Sequence, residues 1–121
     1  MSWIDKAESA MQDLSHILSI PYDYERNESP EDQLPDTYMV YFLVDDPPKT
    51  HYDGEETSRT VRVQVSLLFR DKRMMITAPP EIEKAFKAEG FMRIGSGTIP
   101  YQKDTRHYGW RCDFRYYERN D

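Results

Sequence analysis

The residues best suited to hold a metal ion form one acidic group near the middle of the chain. Its members are Asp45, Asp46, His51, Asp53, Glu55 and Glu56. Carboxylate oxygens are good ligands for hard cations, but the spacing of this group is not that of an EF-hand loop. Acidic runs of this kind are usually solvated. We therefore expect an exposed acidic loop without a metal.

The other reactive side chains lack the spacing that catalysis or cofactor binding requires. His16 and His107 have no partner at a metal-ligand spacing, and Cys112 is the single cysteine. The segment 95–97 reads Gly-Ser-Gly, which is not the nucleophile motif G-x-S-x-G, and there is no Walker or Rossmann motif. Pro35-Asp36 is similar to the start of a restriction-type metal site, but the chain contains no Asp-x-Lys or Glu-x-Lys. The sequence therefore predicts no enzyme, no cofactor and no metal.

Length and composition predict one domain over residues 1–121, because 121 residues leave no room for a second core. A net charge of −6 repels phosphate backbones and argues against a general nucleic-acid binder. The chain has no run of 18 apolar residues, and its start lacks the basic and apolar regions of a signal peptide. We expect an intracellular protein without a membrane partner.

Apolar spacing predicts two helices. The first has Ser2 as its N-cap and ends before Pro21; its apolar stripe is Ile4, Ala7, Met11, Leu14 and Leu18, widened by Ile17. Residues 21–37 contain three prolines and are predicted to form a surface loop. The second helix is predicted over 81–89, opened by Pro79-Pro80 and closed by Gly90.

Apolar and alternating runs predict the strands. An aromatic run at 38–44 and an alternating run at 58–69 are predicted to pair antiparallel across a long acidic connection at 45–56. Short strands are expected at 91–94 and 99–102, and a last strand at 107–117 has an aromatic inner side. The predicted fold class is α+β, in the order α-β-β-α-β-β. It has an antiparallel sheet of about four strands, with two helices packed on one side.

Basic residues gather in and beside the last predicted strand, at Arg106, His107, Arg111, Arg115 and Arg119. They form either a solvated strand face balanced by nearby carboxylates or a contact surface for an acidic partner. That partner includes the acidic loop of a neighbouring copy, since charge complementarity selects partners. The candidate interface residues are Asp45, Asp46, His51, Tyr52, Asp53, Glu55, Glu56, Arg106, Arg111 and Arg115.

The order of these segments over nearly the whole chain resembles the tail-completion, or tail-to-head joining, proteins of long-tailed phages and prophages with non-contractile tails. An amphipathic helix precedes "IPYDYERNE", and the strand "TYMVYFLVDD" is followed by the acidic "THYDGEET". Then come the strand "SRTVRVQVSLLFRDK", a helix ending "AFKAEGF", and "YQKDTRHYGWRCDFRY". The chain departs from the family at Gly109-Trp110, where members often have a bulkier pair.

The resemblance implies a non-enzymatic virion assembly protein, a tail terminator acting at the head-tail junction after assembly in the host cytoplasm. Its implied partners are the major tail tube protein, the head connector or stopper protein, and further copies of itself in a ring of usually six. Two alternatives remain open from the residues alone. One is a small metal-dependent nuclease using Asp36, Asp45, Asp46 and Asp53; the other is a bacterial protein-binding module.

Overall fold

The structure is a computed structural model that describes residues 2–45 and 58–119. Its elements are α1 (Trp3–Leu18), β1 (Tyr22–Tyr24), a 3-10 turn (Glu31–Gln33), β2 (Thr37–Asp45), β3 (Ser58–Phe69), α2 (Met74–Ala88), β4 (Met92–Gln102) and β5 (His107–Arg119). The strands form one five-stranded sheet in the order β1-β2-β3-β5-β4. The predicted α+β class is confirmed.

The sheet is mixed, whereas an antiparallel sheet of about four strands was predicted. β1 pairs parallel with β2, with Tyr22 opposite Met39, inside the segment 21–37 that was predicted to be a loop. A strand of three residues is too short to show a period in the sequence. The antiparallel pairing of β2 with β3 is confirmed.

β4 is one strand of 11 residues, so the prediction of two short strands around 95–97 was wrong. The pairing with β5 shifts register between Arg93 and Gly95 and again between Ile99 and Gln102. Such irregularities absorb an extra residue and let the strand continue. The glycines therefore lie within the strand and do not end it.

α1 buries a stripe that only partly matches the predicted one. Its buried residues are Trp3, Ala7, Ala10, Met11 and Leu14. Ile4 and Ile17 are 38% and 58% exposed, so their predicted place in the core was wrong. Ser2 lies at the N-cap, but its hydroxyl donates to the Asp5 carboxylate (3.0 Å) and caps no backbone amide.

The first turn of α1 is instead capped from the sheet. The Trp3 amide donates to the Glu118 carboxylate of β5 at 2.6 Å. An amide in the first turn of a helix has no partner within the helix, and a carboxylate there is also favoured by the helix dipole. This contact fixes the start of α1 against the last strand.

α2 begins at Met74, seven residues before the predicted start, and contains Pro79 and Pro80 in its interior. A proline there removes the amide that would bond four residues back. The carbonyls of Met75 and Ile76 therefore lack the helical hydrogen-bond donor four residues on, but both residues are exposed to water. The predicted end is confirmed: Gly90 has φ +95°, and the Phe91 amide donates to the Phe86 carbonyl at 3.0 Å.

Both helices pack on one face of the sheet and form a single core with it. β3 contributes its alternate residues, as predicted: Val61, Val63, Val65, Leu67 and Phe69. Trp110, Cys112 and Phe114 of β5 are buried beside them, which confirms the aromatic inner side. Phe86 of α2 stacks on Phe114 with ring centroids 4.6 Å apart.

Glu8 of α1 ties the helix to β1 and β2, because its carboxylate accepts hydrogen bonds from the hydroxyls of Tyr22 and Tyr41. Burial, followed by the hydrogen bond to Glu8, raises the pKa of Tyr22 to about 12. The same two causes raise the pKa of Tyr41 further. Both tyrosines therefore stay neutral donors. Among the described helices, none is long and apolar enough to cross a membrane.

Candidate protein-interaction surface

The face of the sheet opposite the helices carries three arginines on its two central strands. Arg62 lies on β3, and Arg111 and Arg115 lie on β5. Their positions alternate with the buried core residues, so their side chains leave the other face of the sheet. We call these three residues the arginine surface. Arg111 and Arg115 were predicted interface residues; Arg62 was not.

Asp113 lies at the centre of the arginine surface. Its carboxylate is 3.3 Å from the Arg62 guanidinium and 3.5 Å from that of Arg111. It also accepts a hydrogen bond from the Gln64 amide at 2.9 Å. The Asp113 side chain is only 14% exposed, whereas those of Arg62 and Arg111 are about 40% exposed. One carboxylate thus holds two guanidinium groups in place and leaves the surface with net positive charge.

Arg62 and Arg115 are directly opposite each other in the pairing of β3 with β5. Like charges at opposed positions destabilise a sheet. The Nε atom of Arg62 is buried and has no hydrogen-bond partner among the described residues. Arg115 is exposed, and its guanidinium contacts the Met92 sulfur at 3.0 Å. Arg115 is therefore the member of the arginine surface that is most accessible to a carboxylate from outside the described fold.

β4 runs beside the arginine surface and is the last strand of the sheet in the described part of the chain. Its side chains are mostly exposed, and Met92, Ile94 and Tyr101 leave 58%, 46% and 48% of their surface in water. Gly95 and Gly97 place no side chain on the strand. An edge strand of this length presents a row of backbone donors and acceptors that can pair with another chain.

A groove of about 350 Å³ lies at the other end of the same face. Its floor includes Tyr38, Val40, Leu68 and Ile99, and the segment 25–34 forms one wall. His107 was predicted to lie on the outward basic face, but it is fully buried. Its Nε2–H donates to the carbonyl of Pro35, in the segment that leads into β2, at 2.8 Å. His107 therefore anchors a segment and adds no exposed charge.

The remaining predicted interface residues are placed as follows. Arg106 is exposed in the turn before β5, with φ +65°. Asp45 ends β2 opposite Arg62. Five other acidic or histidine candidates and one tyrosine lie outside the described residues: Asp46, His51, Tyr52, Asp53, Glu55 and Glu56. Arg119 ends β5.

The side chains considered for chemistry are dispersed. Asp36 is exposed and pairs with Arg70 at 2.7 Å. Cys112 is buried, and burial raises the pKa of its thiol to about 11, which keeps the thiol protonated. His16 is exposed, as expected. Within residues 2–45 and 58–119, no group of three or more histidine, cysteine or acidic side chains could hold a metal ion.

No protein-family model and no curated protein matches the chain. Arg62 is the member of the arginine surface that was not among the predicted interface residues. Its alternation with Val61 and Val63 placed it on the outward face, but its position opposite Arg115 depends on strand register, which the sequence did not specify.

Proposed function

We propose that the chain is a non-enzymatic virion assembly protein that completes the head-proximal end of a phage tail and joins the tail to the head. Its partners would be the major tail tube protein, the head connector or stopper protein, and further copies of itself in a ring of about six at the head-tail junction. The resemblance of the whole chain to tail-completion proteins supplies the biological setting.

The observation that carries this proposal is the edge strand β4. It is 11 residues long and leaves Met92, Ile94 and Tyr101 exposed. Monomeric proteins usually protect such edges with charges, prolines or short strands, because an open edge invites pairing. β4 carries one charged residue, Arg93, and one proline, Pro100, and the stretch 94–99 between them has neither. An edge kept open in this way suits a protein that joins other polypeptides.

A ring is a physically reasonable state for this fold. Its two outer strands differ, since β1 has three residues and pairs parallel while β4 has 11 and pairs antiparallel. Contacts between unlike surfaces generate a closed ring when the rotation between copies closes, and a filament when it does not. The net charge of −6 would also let DNA pass a ring without being held.

Replacing Ile94 with Lys tests the role of this edge in the phage that encodes the chain, because Ile94 is 46% exposed and lies in the register shift of β4, opposite no residue of β5. A lysine on an exposed edge disfavours pairing with another chain without disturbing the core. We expect phage complemented with Ile94→Lys to yield fewer joined particles, counted by electron microscopy, and correspondingly fewer infectious particles.

Ile17→Lys is the matched control, because Ile17 on α1 is likewise an exposed isoleucine, at 58%, but lies on the helix side of the fold. Both variants should unfold within about 0.5 kcal/mol of the unmodified chain, as surface substitutions usually do. Equal numbers of joined particles from both variants would show that the β4 edge is not used.

A further inference from the structure

We infer that the arginine surface of one copy is the docking site for the acidic segment 45–56 of a second copy. This deepens the proposed function, on which it rests, by naming the contact between neighbouring copies in the ring. The docking site consists of Arg62, Arg111 and Arg115 on the helix-free face of the sheet.

The first argument is charge. In the described structure Asp113 is the carboxylate that pairs with the arginine surface, and it is shared between Arg62 and Arg111. The segment 46–57 contains four carboxylates and one lysine, and Asp45 directly precedes it. A cationic face and an anionic segment on the same chain are complementary between copies, and such complementarity selects partners and sets their register.

The second argument is the arrangement of the arginines. Arg62 and Arg115 are opposed across two strands, which is unfavourable while the surface is uncovered. A carboxylate placed between them would turn this repulsion into two ion pairs. Guanidinium groups suit the task, because they bind carboxylates through paired N–H groups, and the side chain of Arg62 as a whole is 42% exposed.

The third argument is access. Met92, Gly95 and Gly97 of β4 lie across from Arg115, Asp113 and Arg111, respectively. An alanine Cβ at Gly95 would meet no atom within 4 Å, whereas the nearest atoms to one at Gly97 belong to the Arg111 guanidinium, so β4 is open at Gly95 and Arg111 lies over Gly97. An extended segment could therefore lie over β4 and reach the guanidinium groups from the free edge. The site is continuous with the edge that the proposed function uses.

A charge exchange between copies tests this inference with purified protein. One variant carries Arg115→Glu; in the structure the Arg115 guanidinium contacts the Met92 sulfur. The other variant carries Glu55→Lys and Glu56→Lys. Self-association is measured by analytical ultracentrifugation over a concentration series at low and high salt. We expect each variant alone to associate about tenfold more weakly than the unmodified chain, since like charges then meet in the contact.

An equimolar mixture of the two variants should regain association close to that of the unmodified chain. In the mixture, each face meets a segment of opposite charge on the other variant, so the copies would alternate. Lys84→Glu is the control, since Lys84 is exposed on α2; it should change nothing. Arg111→Glu serves as the second face variant if Arg115→Glu does not fold.

Two results would overturn the inference. One is a mixture that associates no better than its components, which would mean that the segment does not dock on a second copy. The other is an unmodified chain that stays monomeric at every concentration and salt level. Neither result would touch the proposed function, because particle joining is measured separately in the phage.

Discussion

Trp110→Ala should lower the free energy of unfolding by about 3–5 kcal/mol, the usual cost of removing a large buried aromatic side chain. Trp110 is 6% exposed and lies on β5, a strand with neighbours on both sides. It is opposite Leu67, which is fully buried in the same core. Alanine would leave a cavity between the sheet and the helices that such a close-packed core cannot fill.

Urea unfolding followed by circular dichroism measures this loss. Tyr117→Ala is the control, because Tyr117 is on the same strand but 59% exposed. It should cost about 0.5 kcal/mol or less, in the range of ordinary surface substitutions. A similarly small loss for Trp110→Ala would contradict the burial of its ring and place it at a surface.

Gly109→Ala should destabilise the fold by about 1–3 kcal/mol through overpacking. A Cβ at Gly109 would lie 2.6 Å from the Ile99 Cβ and 3.1 Å from the Leu68 Cδ1. The nearer atom is attached directly to the backbone of β4, so it can move away only if the strand moves. The absence of a side chain at Gly109 therefore lets β4 and β5 pair with Ile99 directly across from it.

Gly95→Ala is the matched control. Gly95 lies on β4, the strand paired with the one that carries Gly109, and a Cβ at Gly95 would meet nothing within 4 Å. Thermal unfolding of both variants should separate them, with Gly95→Ala near the unmodified chain. Adding Ile99→Gly to Gly109→Ala should cost less than the sum of the two single variants, because it removes the Cβ that the added methyl group would meet. If both glycine variants unfold alike, steric contact with Ile99 is not the cause.

The long elements could be predicted because their patterns repeat. β3 alternates over 12 residues, and its bounds and inward residues were predicted correctly. The end of α2 was predictable because Gly90 adopts a positive φ that other residues rarely take. In both cases the local sequence and the final fold favour the same structure.

The errors occurred where tertiary contacts outweigh local preference. Pro79 and Pro80 suggested a helix start, but packing of Ala78 and Pro79 in the core carries α2 through them. β1 pairs with β2, and its Tyr22 shares the Glu8 carboxylate with Tyr41; both are contacts between residues distant in sequence. Ile17 fits the helical period but is 58% exposed, whereas the next residue, Leu18, packs against the core.

The candidate surface was predictable in part. Alternation in the last strand placed Arg111 and Arg115 on the outward face, and the structure has both there. His107 shares that side of the strand but is covered by the segment carrying Pro35, which no periodicity could indicate. The acidic half of the predicted interface, beyond Asp45, lies outside the described residues and stays a prediction.

Electron microscopy of particles made without this protein tests the central claim most directly. The proposed function places the gene in a phage or prophage; it is deleted there, and lysates are compared with and without the chain supplied from a plasmid. We expect DNA-filled heads and separate tails in the deletion lysate, and joined particles when the chain is restored. Normally joined, infectious particles in the deletion lysate would contradict the proposed function.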